Sequence, residues 1–102
     1  MKIRLSLEGN IQNLMRKCGY RFERMDERTG EMAFSRSVEG ASASGYPRFH
    51  IYLKQDVSRE TSLNLHLDQK KPIYKGAVAH SGEYDGEIVE REAERIKKIL
   101  GP

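Results

Sequence analysis

Three histidines and one aspartate carry most of the chemistry this chain could perform. His66 and Asp68 stand two residues apart in Thr61-Ser62-Leu63-Asn64-Leu65-His66-Leu67-Asp68. Strict alternation marks that segment as a strand, so both side chains leave it on the same face. His50 occupies the matching face of Arg48-Phe49-His50-Ile51-Tyr52-Leu53-Lys54. A hairpin through the polar turn 55–60 that sets Leu53 against Leu63 places Tyr52 opposite Asn64, His50 opposite His66 and Arg48 opposite Asp68. A slip of two residues would pair His50 with Asn64 instead. His80 lies in a long segment without clear period and joins the set if that segment folds back.

These residue types point to several chemistries. Imidazole and carboxylate are ligands for zinc or iron, and three of them with one open position suit catalysis. His50, His66, Asp68 and His80 are the candidate metal ligands, although no CxxC or HExxH pattern accompanies them. Without a metal, His50 and His66 are the candidate catalytic acid and base of a ribonuclease, with Arg48, Lys54 and Lys70 stabilising phosphate charge. Binding without catalysis needs less. Arg48, Tyr52, Lys54, Asn64, Lys70 and Lys71 would hold RNA or DNA on a polar, basic sheet face by stacking and phosphate contacts. That nucleic-acid-associated reading is the leading expectation, and a metal- or histidine-dependent hydrolase is the runner-up. A protein-interaction module using residues 39–45 and the last helix is a further alternative. The plain alternative to all of these is the solvated side of a sheet. Apart from a divalent metal, no cofactor is expected.

Composition sets the frame. The chain has 102 residues with 37% hydrophobic and 32% charged, which fits one domain able to bury a core without a disulfide or structural metal. Its one cysteine, Cys18, shares a helical face with Ile11, Leu14 and Met15 and reads as a buried structural thiol. The net charge is +3 and the pI near 9.1, a mild basic bias that suits nucleic acid or phosphate. No stretch approaches a signal peptide or a membrane span. A cytoplasmic protein without a membrane partner is therefore expected.

The elements that must position these residues follow from periodicity. Ile3, Leu5 and Leu7 alternate with polar residues as a strand. Asn10 is placed to cap a helix over 11–18 that Gly19 ends. Segments 20–26 and 31–37 read as a hairpin turning at Thr29-Gly30, with Tyr20 and Phe22 facing one way on the first strand and Met32 and Phe34 on the second. Residues 39–45 are small and polar and read as a loop. In 48–54 and 61–68, Phe49, Ile51, Leu53, Leu63, Leu65 and Leu67 form the core face. Residues 69–85 read as a loop, with a short strand allowed at 73–78. Asp85 is placed to cap a last helix over 86–100, with Val89, Ala93, Ile96 and Leu100 as its apolar stripe and Ile88 and Ile99 alongside. The expected fold is α+β, in the order β-α-β-β-β-β-α. One mainly antiparallel sheet of four to five strands has two helices on one face and a polar second face.

Two resemblances add to this. Leu14-Met15-Arg16-Lys17-Cys18-Gly19-Tyr20-Arg21, a helix ending in Gly-aromatic before a strand, resembles the start of HicA-type toxin domains, small ribonucleases of double-stranded-RNA-binding-like fold. That family carries its catalytic histidine on the second strand after Gly-Ser. Here the matching stretch is Gly30-Glu31-Met32-Ala33-Phe34, so the role is not carried over. The strings Tyr46-Pro47-Arg48-Phe49-His50, Leu65-His66-Leu67-Asp68-Gln69-Lys70 and His80-Ser81-Gly82-Glu83-Tyr84-Asp85-Gly86 resemble a group of short, uncharacterised bacterial proteins. That likeness implies a compact natural domain and no particular activity.

Overall fold

A computed structural model of the chain describes residues 1–38, 45–69, 82–83 (backbone) and 86–101. Its elements are β1 (Lys2–Ser6), α1 (Ile11–Lys17), β2 (Arg21–Met25), β3 (Met32–Ser37), β4 (Arg48–Gln55), β5 (Glu60–Asp68), the two-residue β6 (Gly82–Glu83) and α2 (Glu87–Leu100). The fold is α+β, in the expected order of elements. The sheet runs β1-β5-β4-β3-β2 and every pairing is antiparallel. β6 pairs with β5 beyond the end of β1, so both lie along the same edge of β5. No helix among the described residues is long and apolar enough to cross a membrane.

Local chemistry explains the element ends. The Asn10 side chain accepts a hydrogen bond from the Asn13 N–H at 3.0 Å and opens α1, because the first turn of a helix leaves N–H groups without partners. Gly19 then takes φ +89°, a left-handed conformation that a side chain would strain. In the β2–β3 turn, Asp26 Oδ1 accepts from the backbone N–H groups of Arg28 and Thr29. In the β4–β5 turn, Asp56 Oδ1 accepts from Ser58 N–H, Ser58 Oγ and Glu60 N–H. These Asx-type bonds fix the two hairpins. The start of α2 differs from expectation: its N-cap is Gly86, which has no side chain to cap with. Asp85 lies outside the described residues, as do residues 39–44 and the segment 73–78.

Alternation sorts the sheet into two faces. Ile3, Phe34, Phe49, Ile51, Leu53, Leu63, Leu65 and Leu67 form one apolar core with Ile11, Met15 and Cys18 of the α1 region and Val89, Ala93 and Ile96 of α2. Both helices therefore cover this face. Phe22 sits at its margin, edge-on to Phe34 at 5.6 Å. Ile88 and Ile99, expected beside the helix stripe, are mainly exposed. The inward face of α2 also carries a charge: Glu92 is 5% exposed. It accepts from the Tyr20 hydroxyl at 2.6 Å and from Arg95 through two nitrogens at 2.9 Å. Arg36 lies 3.9 Å away, and Arg95 also donates to the Cys18 carbonyl. Burial, reinforced by the Glu92 carboxylate, pushes the Tyr20 hydroxyl far above its usual pKa. This network ties α2 to the junction of α1 and β2.

Candidate functional site

The second face of the sheet brings the chemistry together in rows. The register sets Leu53 against Leu63, Tyr52 against Asn64, His50 against His66 and Arg48 against Asp68. The row through His66 and His50 continues to Ser35 of β3 and Arg21 of β2. Directly opposed residues share a face, so these side chains converge without any loop being needed.

Asp68 is the hinge of the cluster. Its Oδ2 is hydrogen-bonded to His50 Nδ1, and its Oδ1 lies 3.3 Å from His66 Nε2. One donor atom from each of His50, His66 and Asp68 can be chosen so that all lie within 4.8 Å of one another. The rings are layered as well. His50 and His66 stack at 5.4 Å, and Tyr52 stacks on His66 at 5.5 Å with an interplanar angle of 14°. The His50 and His66 side chains are only 13% and 8% exposed. Burial holds the His66 imidazole below its ordinary pKa. The Asp68 charge opposes that shift and the neighbouring His50 adds to it.

A residue not singled out from the sequence completes the arrangement. Glu23 of β2 is an extra residue in the β2–β3 ladder, where Phe22 pairs with Phe34 and Arg24 with Ala33. Such a bulge sets two residues against one. The Glu23 carboxylate lies over the polar face. Its Oε2 accepts from Ser35 Oγ at 2.5 Å and lies 3.5 Å from Arg48, and its Oε1 lies 3.7 Å from His50 Nε2. Each ring nitrogen of His50 thus faces a different carboxylate. Arg48 also stands over the Tyr46 ring at 4.3 Å.

The residues expected for nucleic-acid contact divide differently. Arg48 and Tyr52 lie inside the cluster, half-buried against Glu23 and His66. Asn64 sits beside Tyr52, while Lys54 is exposed and lines a shallow groove of about 350 Å³ with Arg4, Gln55, Asp56, Glu60 and Ser62. His80, Lys70 and Lys71 lie outside the described residues. No family model, curated protein or solved structure matches this chain.

Proposed function

We propose that the protein is a hydrolase whose centre is a divalent metal ion, of the zinc class, held by His50, His66 and Asp68. The observation that carries this reading is that two imidazoles and one carboxylate bring donor atoms within 4.8 Å of one another. Zinc holds nitrogen and oxygen ligands at about 2.0–2.2 Å, so adjustments of about 1 Å would seat an ion among these side chains.

The surroundings of His50 support the same reading. A histidine ligand usually gives its second ring N–H to a carboxylate, which fixes the tautomer and the ring plane. Here Glu23 stands at Nε2 while Nδ1 faces Asp68. Ser35 and Arg48 orient Glu23 in turn. Three protein ligands leave a fourth position for water or substrate, and a bound ion there supplies Lewis acidity. A metal-free acid–base pair is less favoured. A general acid and a general base must reach different atoms of the substrate, whereas both imidazoles here turn towards the same carboxylate.

The test is metal analysis of protein purified without a histidine tag. One zinc-class ion per chain is expected, removed by chelator with a drop in melting temperature and absent from Asp68→Ala. No stoichiometric metal together with unchanged stability in chelator would overturn the assignment.

A further inference from the structure

The polar face has a second half, beyond the histidine row. Next to that row lies Lys2-Asn64-Tyr52-Ala33-Arg24, read across β1, β5, β4, β3 and β2. The row after it holds Arg4, Ser62 and Lys54. Lys2, Arg4, Arg24 and Lys54 are all exposed, and no residue paired in these two rows is acidic, although the β3–β4 register continued by one residue sets the exposed Glu31 opposite Lys54. We infer that this half-face is a track for a single-stranded nucleic acid, whose phosphodiester backbone crosses Lys2, Arg4, Lys54 and Arg24 and is the substrate of the metal centre.

Geometry selects one strand over a duplex. Strands lie about 4.8 Å apart and alternate residues about 7 Å apart along a strand. The four cations therefore mark a strip roughly 19 Å long and 7 Å wide, the footprint of one backbone. Tyr52 stands in the middle of that strip, with Asn64 beside it. The Tyr52 ring packs on His66, so the strip would hold a strand through its phosphates, the sequence-independent part of single-strand binding. His50 and His66 stand one row away, so a backbone on the strip runs beside the centre. Acids mark the far limit: Asp56 and Glu60 line the groove with Arg4 and Lys54, and Asp56 Oδ1 is held by the N–H and hydroxyl groups of its own turn.

Among the described residues, the helix-covered side offers no comparable track. The groove of about 480 Å³ along α2 is lined by Arg36, Arg91, Arg95 and Lys98. Arg36 and Arg95 are engaged by Glu92, and Arg91 by Glu87.

The inference rests on the metal-centre reading for catalysis but not for binding, and the experiment separates the two. Fluorescence anisotropy is recorded with labelled single-stranded RNA and DNA 20-mers across a salt series. The wild type, Arg4→Gln/Lys54→Gln, Lys2→Gln/Arg24→Gln and, as a control on the outer face of α2, Lys97→Gln/Lys98→Gln are compared. Each phosphate contact on a single strand contributes about −0.7 to the slope of log affinity against log salt. Each track pair should flatten the slope by about 1.4, and the control should leave it unchanged. Circular dichroism and metal content should match the wild type throughout. Cleavage of the same oligonucleotides with zinc added, and its loss in Asp68→Ala, ties the track to the centre, and the RNA and DNA arms show which strand is taken. Metal-loaded protein that binds neither oligonucleotide at low salt, or track variants that bind like the wild type, would overturn the track and leave the centre standing. Salt-dependent binding by protein that takes up no metal would overturn the catalytic half alone.

Discussion

Two polar clusters among the described residues, one on each side of the sheet around Glu92 and Asp68, are built on opposite rules. Around Glu92 one carboxylate is matched by the guanidinium groups of Arg95 and Arg36 and by a hydroxyl whose proton is held tightly. Arginine does not lose its proton in a protein. The guanidinium groups of that cluster keep their charge, and its donors are spent on fixing α2. Around Asp68 the partners are imidazoles, which exchange protons near neutral pH and present lone pairs to metals. Glu23 and Asp68 bracket His50, and Arg48 is the guanidinium beside Glu23. Burial alone therefore does not separate the two clusters. What distinguishes the second is that the partners of Asp68 are imidazoles, a side chain that can exchange a proton or bind a metal.

The largest expected effect lies on the structural side. Glu92→Ala removes the acceptor shared by Tyr20 and Arg95 and leaves the buried Tyr20 hydroxyl unpaired, while the partly exposed Arg36 and Arg95 can turn to water, which should cost about 2–3 kcal/mol. Denaturant unfolding measures this, and metal content per folded molecule should stay as in the wild type. A loss below about 1 kcal/mol would mean that the apolar stripe holds α2 unaided and would remove one side of the contrast.

Asp68→Ala should show the reverse pattern. Metal uptake is abolished, while the metal-free protein loses only about 1 kcal/mol, the scale of a hydrogen bond lost where the partner can drop its proton. Equal destabilisation by Glu92→Ala and Asp68→Ala would show that both clusters are structural.

Glu23→Gln keeps the shape and removes the charge beside His50 Nε2. Changes to such orienting partners weaken metal binding by about 10–100-fold, so competition with a chromophoric chelator should show a shift in that range with folding intact. Unchanged affinity would detach Glu23 from the centre.

The smallest effect concerns pH. His66 is held below its ordinary value of 6.5, so as pH falls through 6.5 the unfolded chain takes up a proton that the folded one refuses. The stability associated with the neutral ring is full above 6.5 and is lost as pH falls below it towards the folded value. Metal-free wild type should therefore lose stability on acidification more steeply than His66→Gln. Parallel curves would mean that burial does not govern this imidazole.

Much of this was legible in the residues. The alternation in 48–54 and 61–68, with the polar turn between them, predicts the register that the structure has, including His50 against His66 and Arg48 against Asp68. Asn10 and Gly19 announce both ends of α1. Long-range effects were less visible. Glu23 reaches His50 because β2 lies two strands from β4 and carries a bulge, and a bulge has no period to detect. Tyr52 reads as a platform open to a base, yet its ring packs on His66 of the neighbouring row, a diagonal contact within reach of aromatic side chains. The pairing of β6 with β5 involves only two residues, too few for alternation to register. Glu92 reads as part of a solvated helix face, and only the docking of α2 against Tyr20 shows otherwise.

The bulge at Glu23 has a consequence for how this surface can change. Arg21, Phe22, Arg24 and Met25 pair with Ser35, Phe34, Ala33 and Met32 in unbroken succession, as though Glu23 were not in the chain. Excising it would leave that ladder with the same partners. The carboxylate beside His50 is in that sense an appendix to the fold, which a lineage could gain, lose or exchange by one insertion, deletion or substitution while the sheet keeps its architecture.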